Sequence, residues 1–150
     1  MNKTKRGLIM RYILLLLPIL FISLQAKDIA LAKSIKGSVH AKYEKETLPI
    51  KKGDWLQEGM LVKTGDASSI TMIFKDNSVL VLGANSILHL ERYLFEPSLA
   101  IFDFQLKLSK GVASFESGKI GELAPDDFVF KTPDATVGIR GTKFIVKVQR

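Results

Sequence analysis

Apolar and polar residues alternate most clearly in Phe102-Asp-Phe-Gln-Leu-Lys-Leu-Ser109. Phe102, Phe104, Leu106 and Leu108 fall on one face, and Asp103, Gln105, Lys107 and Ser109 on the other. A period of two is that of a half-buried strand. Ile70-Thr-Met-Ile-Phe-Lys75 alternates through Ile70, Met72 and Phe74, although Ile73 interrupts its polar face. Val79-Leu-Val-Leu82 is continuously apolar, as a strand buried on both faces would be. Near the end, Phe144, Val146 and Val148 oppose Lys143, Ile145 and Lys147. A helical stripe competes only at Ile87 to Phe95, where Leu88, Leu90 and Leu94 also fit a short helix.

Turn signals separate these segments at Lys36-Gly37, Lys52-Gly53-Asp54, Thr64-Gly65-Asp66, Lys75-Asp76-Asn77 and Gly83-Ala84-Asn85. The intervals are too short for helices, so the pattern predicts an all-β domain, either a β-solenoid-like stack of rungs or a sandwich of short strands. The 12- and 11-residue spacings between Gly53-Asp54, Gly65-Asp66 and Asp76-Asn77 favour rungs. Gly118 to Asp127 reads as the longest loop, dividing a large first part from a closing pair of strands. Of the bulky residues Trp55, Tyr93, Phe95, Ile101 and Phe115, most are expected in the core, while a cluster from Tyr93 to Pro97 is a candidate partner surface.

The head of the chain has a different character. Lys3, Lys5, Arg6 and Arg11 precede or flank a 13-residue apolar run from Tyr12 to Leu24, which holds Pro18 and is followed by Gln25-Ala26. Such a run is shorter than the ~20 residues of a spanning helix and reads as a secretory signal peptide removed after Ala26. The alternative is an uncleaved signal that anchors the domain in the inner membrane. The expected organisation is therefore a signal over residues 1–26 and one domain over 27–150, with no membrane span in the mature form. Removing the head lowers the net charge from +7 to +3, an ordinary solvated surface that does not point to nucleic acid. The chain has no cysteine, so disulfides, thiolate metal sites and lipidation at an N-terminal cysteine are excluded.

Candidate chemistry is sparse. Gly138-Ile-Arg-Gly141 leads into a strand pattern instead of a helix, and it has neither a Walker lysine nor dinucleotide spacing, so no cofactor is expected there. His40 and His89 lie 49 residues apart without helical pairing, which makes surface or packing roles the expectation in place of metal ligation. Asp54, Asp66 and Asp76 sit in turns that lack the dense glycine-aspartate repeat of calcium-binding solenoids, and aspartate favours turns simply by bonding its own backbone. No Gly-x-Ser-x-Gly elbow is present, and Asp126-Asp127 or Glu44 and Glu46 are expected to be solvated. Neither an enzyme nor a metal site is anticipated.

Four segments in order carry a resemblance. Gly53-Asp-Trp-Leu-Gln-Glu-Gly-Met-Leu-Val-Lys-Thr-Gly65, Phe74-Lys-Asp-Asn-Ser-Val-Leu-Val-Leu-Gly83, Leu108-Ser-Lys-Gly-Val112, and Lys131-Thr-Pro133 running to Gly138-Ile-Arg-Gly-Thr-Lys-Phe144 resemble the FecR domain over most of Ile35 to Val148. The motif positions are Gly53, Asp54, Gly65, Asp76, Ser78, Gly111, Thr132, Pro133, Gly138, Arg140, Gly141, Thr142 and Phe144. Pro133 fixes its own φ and extends Thr132. Gly138 and Gly141 permit tight turns, and Arg140 is placed to satisfy carbonyls or a carboxylate at a structural corner, with Thr142 opening the last strand. The resemblance implies a β-module. Its well-known members are inner-membrane regulators of TonB-dependent signalling, with a cytoplasmic anti-sigma region, one span, a periplasmic FecR domain and a C-terminal lobe that meets an outer-membrane receptor. Here only Met1 to Arg6 come before the apolar head segment, counted from Gly7, and the chain ends at Arg150. The expectation is a stand-alone periplasmic module that binds another envelope protein, with a cell-wall or glycan-binding module as the alternative.

Overall fold

The computed structural model describes residues 27–139 and 143–149, so the expected signal segment and Arg140, Gly141 and Thr142 lie outside the described residues. The strands are β1 (Asp28–Lys36), β2 (Val39–Tyr43), β3 (Glu46–Pro49), β4 (Trp55–Gln57), β5 (Leu61–Thr64), β6 (Ser69–Phe74), β7 (Val79–Leu82), β8 (Ile87–Glu96), β9 (Ile101–Glu116), β10 (Phe128–Lys131), β11 (Thr136–Val137) and β12 (Lys143–Val148). One short helix, α1 (Lys119–Leu123), and a 3-10 turn at Pro125–Asp127 occupy the expected long loop. The fold is all-β. Residues 87–95, where a helix competed, lie in β8: Leu88 and Leu90 point inward, and a register shift between Leu90 and Arg92 then brings Tyr93 to the core.

The strands form one sheet in the order β3-β2-β5-β8-β9-β7-β6-β1-β4, folded so that its two halves face each other. In one half, β4, β1, β6 and β7 lead to the C-terminal part of β9, and β12 closes its far side. In the other half, β3, β2, β5 and β8 lead to the N-terminal part of β9, which β10 flanks in parallel and β11 extends. The chain passes between the halves at Gly37, Gly65, Gly83 and inside β9 at Gly111. These passes lie side by side and alternate in direction, which joins the two expected architectures. The molecule is a sandwich in section and a stack of antiparallel rungs along its length.

The inward residues of both halves make one core. Phe74 of β6 packs at 5.6 Å from Tyr93 of β8 and 4.7 Å from Phe104 of β9. Phe115 stacks at 4.4 Å on Phe128 of β10, and Phe130 meets Phe144 of β12 at 5.4 Å. Each fully buried ring contributes about 1.5–3 kcal/mol of transfer free energy, so the aromatic file from Tyr93 to Phe144 holds the halves together without disulfides. Tyr93 and Phe115 are buried and Phe95 is partly buried, as expected of core residues. Trp55 and Ile101 are not, at 48% and 46% exposed, because each sits on the outward side of its strand.

Candidate functional site

The glycine-centred passes form a spine of stacked bends. Gly65 donates its N–H to the Ser38 carbonyl at 3.0 Å, Asn85 to the Gly65 carbonyl at 3.1 Å, and Gly83 to the Val112 carbonyl at 2.9 Å. Two serines complete the spine in the same way at its two ends. Ser68 Oγ accepts the Ser38 N–H at 2.9 Å and donates to the Asp66 carbonyl. Ser86 Oγ accepts the Val112 N–H at 3.0 Å and donates to the Ala84 carbonyl. The residues before them, Ala67 and Asn85, share a left-handed φ of 48° and 51°. The outer bends match too. A Cβ on Gly37 would lie 2.3 Å from Ser68 Oγ, and one on Gly111 would lie 2.0 Å from Ser86 Oγ and 2.6 Å from its Cα, with both glycines at positive φ. The bends at 37, 65, 83 and 111 are thus two related pairs facing each other across the middle of the sheet.

The three aspartate turns, alike in sequence, differ in space. Asp54 caps an exposed turn by accepting the Lys51 N–H at 2.8 Å, and its carbonyl accepts the Ala32 N–H at the bulge of β1. Asp66 uses its carbonyl in the spine. Asp76, between β6 and β7, is fully buried with Ser78. A buried carboxylate must be saturated with donors. Oδ1 accepts from the Tyr93 hydroxyl at 3.1 Å and the Ser78 N–H at 3.3 Å, while Oδ2 accepts from Ser78 Oγ at 2.5 Å and the Ile120 N–H at 3.2 Å. The Asp76 N–H donates to the Tyr93 oxygen at 2.8 Å, and the Asp76 carbonyl accepts the Lys119 N–H at 2.8 Å. Ser78 Oγ accepts the Gly118 N–H at 2.9 Å. A Cβ on Gly118 would stand 2.2 Å from the Asp76 carbonyl, so only glycine lets the start of α1 approach this turn. Burial, reinforced by the charge on Asp76, pushes the Tyr93 hydroxyl far above the usual tyrosine range and keeps it a donor.

The closing motif is a third framework piece. Thr132 donates its N–H to the Ala135 carbonyl at 2.8 Å, and its Oγ1 accepts the Ala135 N–H at 2.9 Å, closing the β10–β11 turn around Pro133. Phe144 reaches the aromatic file at 5.5 Å from Phe115. Gly138 has a φ that is not positive, and a Cβ there would meet none of the described residues within 4 Å.

The model of the family described as FecR protein matches residues 60–150. The chain belongs to the FecR family. No curated protein and no solved structure matches it. The family is regulatory and non-enzymatic, and its domains are typically periplasmic. The match starts beyond Gly53 and Asp54, yet β1 and β2 pair directly with β6 and β5, so the FecR fold here is completed by residues before the matched region.

Within this FecR domain Gly65 and Gly111 belong to the spine, Asp76 and Ser78 to the buried turn, Thr132 and Pro133 to the closing turn, Gly53 and Asp54 to an exposed turn and Phe144 to the aromatic core. Among the described residues no three His, Asp or Glu side chains are placed to hold a metal ion. His40 lies 3.4 Å from Ser38 Oγ, and His89 lies 3.8 Å from Glu91, both on the outer surface. Open hollows among the described residues include one of about 850 Å³ beside Tyr43, Glu46 and Met60 and one of about 490 Å³ beside Asp126, Phe128 and Gly138. Reading by motif missed Ser68, Ser86, Glu58 and the hydroxyl of Tyr93. Glu58 accepts the Tyr93 N–H at 2.9 Å beside the β8 register shift. The sequence offered one usable signal, the parallel between Gly65-Asp-Ala-Ser68 and Gly83-Ala-Asn-Ser86.

Proposed function

We propose that this chain is an exported FecR-domain module that works in the periplasm as a non-catalytic, signalling-related partner of another envelope protein, residues 1–26 serving as a cleavable signal. The observation that carries the reading is family membership over residues 60–150. It is supported by the arrangement of the described motif residues: the buried polar groups of Asp76 and Ser78 serve backbone and turn donors, and among the described residues no acid, base and nucleophile are aimed together at a substrate. Wall or glycan binding asks for aromatic faces aligned in a groove, and Trp55 is the one aromatic among the exposed large hydrophobic residues described.

In-cell crosslinking of a C-terminally tagged copy tests this reading, with mass spectrometry of the captured species and of the bait's N-terminus. Capture of one specific envelope protein on a bait beginning at Lys27 is expected. Recovery of glycan fragments alone overturns the protein-partner reading, and a bait that keeps Met1 overturns the cleaved signal.

A further inference from the structure

The two outward faces of the folded sheet differ in chemistry. On the half containing β8 and β10, exposed Lys42, Lys63 and Lys107 stand beside two ion pairs, Lys131 with Glu91 at 2.8 Å and Arg92 with Asp103 at 2.8 Å. On the other half one cross-strand row runs through Trp55, Leu31, Ile73 and Val79 on β4, β1, β6 and β7. The adjacent row carries Val81 and ends at Ile145 on β12, which are 39% and 70% exposed. These residues lie opposite the inward set of Leu56, Met72, Leu80 and Phe115, so the core cannot claim them.

Lysines surround this apolar row. Lys36 and Lys147 share its outward rows, Lys143 stands at the β12 edge, Lys33 is exposed at the β1 bulge, and Lys75 lies 5.9 Å over the Trp55 ring. Two acids share the face: Asp28, opposite Gln57 and accepting from its Nε2 at 3.1 Å, and Glu116, 3.7 Å from Lys143. Five lysines against two acids give the face +3. Net positive charge thus surrounds the apolar row.

That combination selects an occupant. A second copy laid face to face would oppose lysine to lysine. Protein interfaces favour arginine and are depleted in lysine, whose hydrated ammonium does not fork onto a carboxylate, and among the described residues this face has no arginine. Lysine stems that lie on apolar surface while their heads stay wet, beside a half-exposed tryptophan, suit the headgroup region of a bilayer. We infer that this face docks on an anionic phospholipid surface, with Trp55 and its row at headgroup depth and the lysines among the phosphates. The inference does not depend on which envelope protein the domain meets.

Trp55 is the single tryptophan of the chain and reports directly on this contact. The full chain is mixed with phosphatidylcholine vesicles, with or without phosphatidylglycerol, whose acyl chains are brominated to quench tryptophan. The N-terminal segment, with its apolar run and four positive charges, is identical in the parent and in the charge-reversed variant below, so its contribution cancels in that comparison. Blue-shifted and quenched Trp55 emission is expected only with phosphatidylglycerol. In the variant Lys33→Glu/Lys36→Glu/Lys147→Glu, which leaves the Trp55–Lys75 contact intact, partitioning falls by about a hundredfold, at roughly fivefold per lysine. A native far-UV spectrum and melting curve in that variant establish that it folds. Trp55 emission alike on both vesicles, quenching indifferent to the charge reversals, or Trp55 already shielded from an aqueous quencher without lipid would each overturn the assignment.

Discussion

Replacing Asp76 by alanine tests whether the buried turn anchors the fold. The change removes the acceptor for the Tyr93 hydroxyl, Ser78 Oγ, the Ser78 N–H and the Ile120 N–H. The two hydroxyls can rotate toward other acceptors, but the Ile120 and Ser78 N–H groups are fixed by backbone. Each buried donor left without a partner costs about 1–3 kcal/mol. Alanine also relieves the desolvation of a carboxylate, which keeps the total below the sum of four bonds. The net expectation is a loss of about 3–6 kcal/mol, a large part of the 5–15 kcal/mol that holds a typical domain together. Asp76→Asn is not a rescue, because an amide placed at Oδ2 would point donors at the Ile120 N–H. Asp54→Ala, in a turn with a similar sequence but an exposed carboxylate bond, is expected to cost about 0.5–1 kcal/mol. Urea unfolding followed by circular dichroism and Trp55 fluorescence measures all three variants. If Asp76→Ala costs under about 1 kcal/mol at unchanged m-value, or no more than Asp54→Ala, the anchoring argument fails.

Other expectations follow from the same geometry. Gly111→Ala places a Cβ 2.0 Å from Ser86 Oγ at a φ of +92°, so a loss of about 3 kcal/mol or failure to fold is expected. Gly138→Ala should shift stability by no more than about 0.5 kcal/mol, and a large loss there would show that the turn needs glycine for another reason. Thr132→Val removes both side-chain bonds of the closing turn and should cost about 1 kcal/mol in thermal melts. Tyr93 holds its proton in the folded state to higher pH than in the unfolded chain, whose tyrosines ionise near pH ~10. Stability from this group is therefore complete below pH ~10 and falls as pH rises beyond it. Tyr93→Phe should be less stable at neutral pH yet lose less between neutral and alkaline conditions, and parallel pH profiles for the two proteins would contradict the shift.

The strands were legible in the sequence because burial on one side of a sheet imposes a period of two, and Phe102 to Ser109 and Phe144 to Val148 show it plainly. The absence of thiol chemistry was equally legible, since it is a matter of composition alone. Tertiary structure decided which turns were equivalent. Gly-Asp and Asp-Asn look alike along the chain, but the real stack runs through 37, 65, 83 and 111, because a bend is defined by the strand it lies against. It also separated Asp76 from Asp54: a turn preference is local, whereas burial beneath α1 and Tyr93 depends on residues up to 44 positions away. Likewise, a net charge of +3 after the head reads as ordinary until pairing brings Lys36, Lys143 and Lys147 onto the face that carries Trp55. Sequence fixes the sum of charges and the alternation of each strand, but only the register between strands decides which outward residues become neighbours.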